Sequence, residues 1–81
     1  MDLVTVRYWA GARAAAGVPE EQVAPGPLGA VLDAVRARHD DRFAAVLERC
    51  SLLVDGTQAH DRGAPVAAGA LVDCLPPYAG G

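Results

Sequence analysis

The stretch "LGAVLDAVRARHDD" (28–41) decides the architecture. Leu28, Val31, Leu32 and Val35 recur at helical spacing, while Asp33, Arg36 and Arg38 fall off that stripe. A helix with one apolar stripe has one face to bury and needs a layer to bury it against. Pro25, Gly26 and Pro27 break the chain before it. The start offers no Ser, Thr, Asp or Asn as a cap, but a proline there is compatible with a first turn. "DRFAAVLERC" (41–50) follows as a second, shorter helix with Phe43, Val46 and Leu47 inward.

The flanking segments supply the layer. Residues 2–9, "DLVTVRYW", alternate with period two, placing Val4, Val6 and Tyr8 on one face and Leu3, Thr5 and Arg7 on the other. "AGARAAAG" (10–17) reads as a short helix stopped by Gly17, and "VPEEQVAPG" (18–26) as a short polar strand. Beyond the helices, "SLLVDGTQAH" (51–60) is a strand running into the hairpin signal Asp55-Gly56, with a short return strand at 57–60. Residues 61–70 read as loop. "LVDCL" (71–75) is the last strand, ended by Pro76-Pro77, because proline has no N–H for a ladder. The order predicts an α+β, ubiquitin-like β-grasp: a mixed sheet of four to five strands with the main helix on one face. Residues 1–75 form that domain and 76–81 a flexible tail.

Composition narrows the function. The 81 residues make one domain, and 52% apolar against 21% charged residues suits a packed core. A net charge of -3 without a basic run argues against nucleic acid. No basic segment leads into an apolar one at the start, and no apolar run approaches the ~20 residues that cross a bilayer, so a cytoplasmic, membrane-free protein is expected. Cys50 and Cys74 form no C-x-x-C and read as small core residues in a reducing compartment. All seven basic residues are Arg. The chain therefore has no side-chain amine on which it could itself be acylated.

Alternation also assigns the open face. Asp73 should point to solvent, turning Val72 and Cys74 inward and Leu71 and Leu75 outward; Ser51 and Asp55 carry Leu53 outward with them. Leu3, Arg7, Leu53 and Leu75 then form a candidate docking patch on an otherwise polar face. The tail "PPYAGG" (76–81) departs from the body in an extended conformation, where Tyr78 can anchor on a partner. The four residues after the prolines reach about 13 Å at most. Gly81 would present a carboxyl carbon with no Cβ to crowd an attacking group.

From "VTVRYWA", "LLVDGT", "GALVDCLPP" and above all "PPYAGG", the chain resembles, end to end, the small sulfur-carrier proteins of the MoaD/ThiS family. Within that family it most resembles the small subunits of molybdopterin synthases. The resemblance implies that an ATP-using, E1-like enzyme adenylates Gly81, with no cofactor bound by the carrier itself. Sulfur from a cysteine desulfurase or rhodanese-type donor would then make a thiocarboxylate. Gly80, Ala79, Tyr78 and Pro77 would thread the active site of a large synthase subunit, and the protein would be a co-substrate, not an enzyme. Sister roles stay open: thiamine, cysteine or tRNA thiolation, or a protein modifier or plain interaction module of the same fold.

Other chemistry finds little support. His39 beside Asp40-Asp41 and His60 beside Asp61 have no metal-ligand spacing and read as solvated positions. Ser51 has no nucleophile elbow, and Gly11 and Gly17 make no phosphate loop.

Overall fold

A computed structural model describes residues 2–77 of the chain. The first strand, β1 (Val4–Tyr8), shows the expected alternation, with Val4, Val6 and Tyr8 no more than 2% exposed. The chain then runs through α1 (Ala10–Ala16), β2 (Glu20–Val23), β3 (Gly26–Pro27), α2 (Leu28–Arg36) and α3 (Asp41–Arg49). It closes with β4 (Ser51–Val54), β5 (Thr57–Ala59), β6 (Pro65–Val66) and β7 (Leu71–Leu75). Five strands form one mixed sheet in the order β2-β1-β7-β4-β5, with β1 and β7 parallel at its centre and the other pairs antiparallel. This is the ubiquitin-like β-grasp that the order of elements predicts.

One face of the sheet is covered. Val4, Val6, Val72 and Cys74 meet Leu28, Val31, Leu32 and Val35 of α2 and Phe43 and Leu47 of α3 in a single core. Aliphatic side chains of this size each contribute about 1.5–3 kcal/mol on full burial, and here they make up most of a core whose aromatics are Tyr8 and Phe43. Asp55 and Gly56, both at positive φ (50° and 84°), make the β4–β5 hairpin turn. The Asp55 carboxylate also accepts from the Leu71 N–H at 2.9 Å, tying the turn to the start of β7.

Three boundaries differ from the sequence reading. The main helix ends at Arg36 rather than at residue 41, because Asp40 is instead the N-cap of α3 and accepts from the Phe43 N–H at 3.0 Å. With that cap, α3 is nine residues long, the same length as α2, not shorter. Residues 61–70 are not all loop: Pro65–Val66 pairs antiparallel with Gly26–Pro27 as a separate two-stranded ladder. That ladder explains how α2 starts without a capping side chain. The Ala64 and Arg62 carbonyls accept from the Leu28 and Gly29 N–H groups at 2.9 and 2.7 Å, so a distant loop satisfies the helix's first donors.

Candidate functional site

Among the described residues no helix covers the sheet's second face, and the strand registry sets which side chains meet there. Glu20, Arg7, Asp73, Leu53 and Gln58 stand opposite one another in a single rank across all five strands. Gln22, Thr5 and Leu71 form the rank on one side of it. On the other side, Leu75 faces Ser51, while Trp9 and Val18 continue the ladders past Tyr8 and Pro19. This last rank lies where β7 hands over to Pro76. Trp9 and Val18 are 43% and 38% exposed, and Leu53 and Leu75 are half-buried.

At the centre, Asp73 is 7% exposed, not turned into solvent as alternation alone suggests. It does lie on the open face, but Arg7 and Trp9 close over it. Arg7 Nε donates to Asp73 Oδ1 at 2.8 Å, Trp9 Nε1 donates to the same oxygen at 2.9 Å, and the Arg7 guanidinium carbon lies 4.9 Å from the centre of the Trp9 ring. Ala10 follows at φ 46°, a left-handed conformation that costs an L-residue about 1–2 kcal/mol. That turn takes the chain off the sheet into α1 and leaves the indole behind on the open face. Trp9 is the functional candidate that the sequence reading missed, although the period-two alternation of β1 already placed it with Arg7.

Of the residues expected to dock a partner, Arg7, Leu53 and Leu75 therefore share the central and tail-side ranks. Leu3, 40% exposed, precedes β1 and sits at the other end of the sheet, where its carbonyl accepts from Gly69. Pro77 is exposed at the end of the described chain. Tyr78, Ala79, Gly80 and Gly81 lie outside the described residues.

A second polar cluster sits at the edge of the core. Glu21 points inward from β2 and accepts from Tyr8 Oη at 2.7 Å and from Arg38 at 3.4 Å, with His39 Nε2 at 2.5 Å. His39 is consequently not a solvated helix-end residue: its ring lies 4.4 Å from that of Phe43. His60 is exposed, as expected. Neither thiol is disposed to react. Burial pushes Cys50 up to about 11, and burial with the neighbouring Cys50 and Asp73 pushes Cys74 up to about 12. Among the described residues no three His, Cys, Asp or Glu side chains converge as metal ligands, and no helix is long and apolar enough to cross a membrane.

Both carboxylates titrate low. For Asp73, burial alone would raise the carboxyl, but hydrogen bonds from Arg7 and Trp9 outweigh it; for Glu21, those from His39 and Tyr8 do the same. The unfolded chain thus binds more protons in acid than the folded one. Their contribution to stability is fully present above the ordinary carboxylate range of about 4 and is lost as pH falls through the lower folded values. The melting temperature should fall below about pH 4, and fall less steeply in an Asp73→Asn, Glu21→Gln double variant. Equal slopes for the two proteins would refute this assignment.

No family model matches the chain, and the curated proteins searched give no match. Solved structures do. The ubiquitin-like fold is shared with small archaeal modifier protein 1 (SAMP1) of Haloferax volcanii, at TM-score 0.83 and 24% identity over 98% of this chain and 99% of that one. A putative molybdopterin converting factor subunit 1 of Pyrococcus furiosus gives TM-score 0.81 and 21% identity, over 96% and 100% of the two chains. In a Helicobacter pylori complex of molybdopterin-converting factor subunits 1 and 2, a chain matches at TM-score 0.75 and 16% identity, over 98% and 99%. The particular shape is thus one that molybdopterin converting factor subunits and a small archaeal modifier protein have in common.

Proposed function

We propose that this protein is a sulfur carrier: Gly81 is adenylated by an ATP-using, E1-like enzyme, converted to a thiocarboxylate, and donates its sulfur in molybdopterin biosynthesis. The observation that carries this reading is the tail-side rank. The central strand β7 ends at Leu75 beside Trp9, with Pro76-Pro77 following and the Arg7–Asp73 pair one rank behind. A partner seated on that rank would be positioned to receive Pro77, Tyr78, Ala79, Gly80 and Gly81 in its active site. The Helicobacter pylori complex supports a large synthase subunit as one such partner. A cysteine desulfurase or rhodanese-type protein would supply the sulfur, in the cytoplasm. The carrier contributes the carboxylate and its partners contribute the catalytic groups, so it is not an enzyme alone. The resemblance to modifier proteins favours a second reading, attachment of Gly81 to another protein, which uses the same adenylate.

Intact-mass measurement after incubation with ATP, a sulfur donor and an E1-like enzyme tests the proposal. A gain equal to exchanging one oxygen for sulfur is expected; covalent linkage to a protein without that gain would favour the modifier reading, and neither would overturn both.

Trp9→Ala should weaken docking and, by taking the indole N–H away from the buried Asp73 carboxylate, also lower stability by about 1 kcal/mol or more. Exposed aromatics anchored in this way are frequent hot spots of 2 kcal/mol or more, about a 30-fold rise in the activating enzyme's KM for the carrier with kcat unchanged. Leu3→Ala, at the far end of the sheet, should leave KM within about twofold. If both variants behave alike, the tail-side rank is not where the partner sits.

A further inference from the structure

The outer surface of α3 carries a charge pattern that the tail chemistry does not use. Four of the seven arginines stand within ion-pair distance of a carboxylate: Arg7 with Asp73, Arg36 and Arg62 with Asp33, and Arg38 with Glu21. Arg42 and Arg49 have no such partner among the described residues, and neither do Asp41 and Glu48, which precede them in the chain. All four are exposed.

Helix geometry sorts them into two rows. Asp41 and Glu48 are seven residues apart, as are Arg42 and Arg49, so each pair stacks along one line of the helix about 10.5 Å apart. Phe43 and Leu47 mark the face toward the core. Ala45, exposed, sits opposite them in the middle of the outward face, with the acidic row on one flank and the arginine row on the other. The arginine flank borders a shallow depression of ≈ 250 Å³ lined by Arg42, Ala45, Val46 and Arg49.

From this pattern we infer that the outer face of α3 associates with the same face of a second copy of this chain, the two helices running parallel about a two-fold axis. A two-fold along the helix direction brings the acidic flank of one copy against the arginine flank of the other. Arg42 then meets the second copy's Asp41, Arg49 meets the second copy's Glu48, and symmetry repeats both pairs. This is the logic of flanking charges in parallel zippers, with the small Ala45 on the axis allowing close approach. Reversing one helix would set arginine against arginine, so the pattern specifies the parallel arrangement. Charges placed only for solubility need no such division into rows. The contact closes on itself, giving a dimer and no longer polymer. Because the surface is small and its pairs are exposed, the dissociation constant should be on the order of a millimolar and rise with salt.

Sedimentation equilibrium of the full chain in low salt tests this. Average mass should rise from 8.3 kDa by about half at a chain concentration near the dissociation constant, and return to the monomer value in about 0.5 M salt. Arg42→Glu with Arg49→Glu makes both flanks acidic, and Asp41→Arg with Glu48→Arg makes both basic. Each double variant, shown folded by circular dichroism, should stay monomeric, and an equal mixture of the two should associate at least as strongly as the wild type. A wild type that remains monomeric at about 1 mM in low salt overturns the inference. So does a double variant that still dimerises alone, or a mixture of folded variants that does not.

Discussion

A chain shortened by Gly81 is expected to gain no measurable sulfur under conditions that load the full chain. One residue spans at most about 3.5 Å, so removing it withdraws the carboxylate by up to that distance. Acyl activation requires the reacting atoms within about 3–3.5 Å of one another, and a displacement of even 1 Å can cost about 100-fold. Trp9 and Leu75 stand in the rank where β7 hands over to Pro76, with Arg7 one rank behind, so on the proposed docking the partner would recover the lost reach only by giving up those contacts. The rate of the mass gain should therefore fall by at least about 100-fold, although the folded domain is untouched. Gly81→Ala separates reach from crowding. It keeps the length and adds a Cβ beside the carboxyl carbon, and an intermediate loss of roughly tenfold is expected from imperfect alignment. Equal loading of the full and shortened chains would mean that the terminal carboxylate is not what the activating enzyme sees.

How much of this was legible in the sequence depends on how far apart the deciding residues lie. The alternation of Val4, Val6 and Tyr8, the Gly17 stop with φ 78° and the Asp55-Gly56 turn are local signals, and the structure agrees with each. Asp40 was also local, a capping residue ahead of an apolar run, but it was absorbed into the preceding helix because helical periodicity tolerates two extra polar positions. The Gly26–Pro27 and Pro65–Val66 ladder had no signal to find: two-residue strands built on proline have no period, and only the folded chain brings them together. The same holds for exposure. Alternation placed Asp73 on the correct face, but the residues that bury it are 66 and 64 positions away in sequence. His39 looked solvated because its partner Glu21 lies 18 positions back, in a strand whose polar composition suggested an exposed edge.

Phe43→Ala should be the most damaging substitution within the described fold, with an expected loss of about 3–5 kcal/mol. Phe43 is fully buried and is the only phenylalanine, so no second ring can shift into its place. It packs edge-on to Tyr8 with 5.3 Å between centroids and lies 4.4 Å from His39. Through those two neighbours it supports the Glu21 cluster, since Tyr8 donates to Glu21 and His39 stands against the same carboxylate oxygen. Truncation would open a cavity and also let the His39 ring move, weakening a carboxylate that burial already penalises. A domain of 81 residues holds roughly 4–12 kcal/mol in total, so the variant should lose at least about a quarter of its stability. Phe43→Leu, which keeps most of the volume, should cost about 1.5 kcal/mol or less. Urea titration followed by Trp9 fluorescence reads both. If Phe43→Ala lost less than Phe43→Leu, or less than about 1.5 kcal/mol, the site would be able to collapse around the missing ring, and α3 would not be held to the sheet by the contact described above.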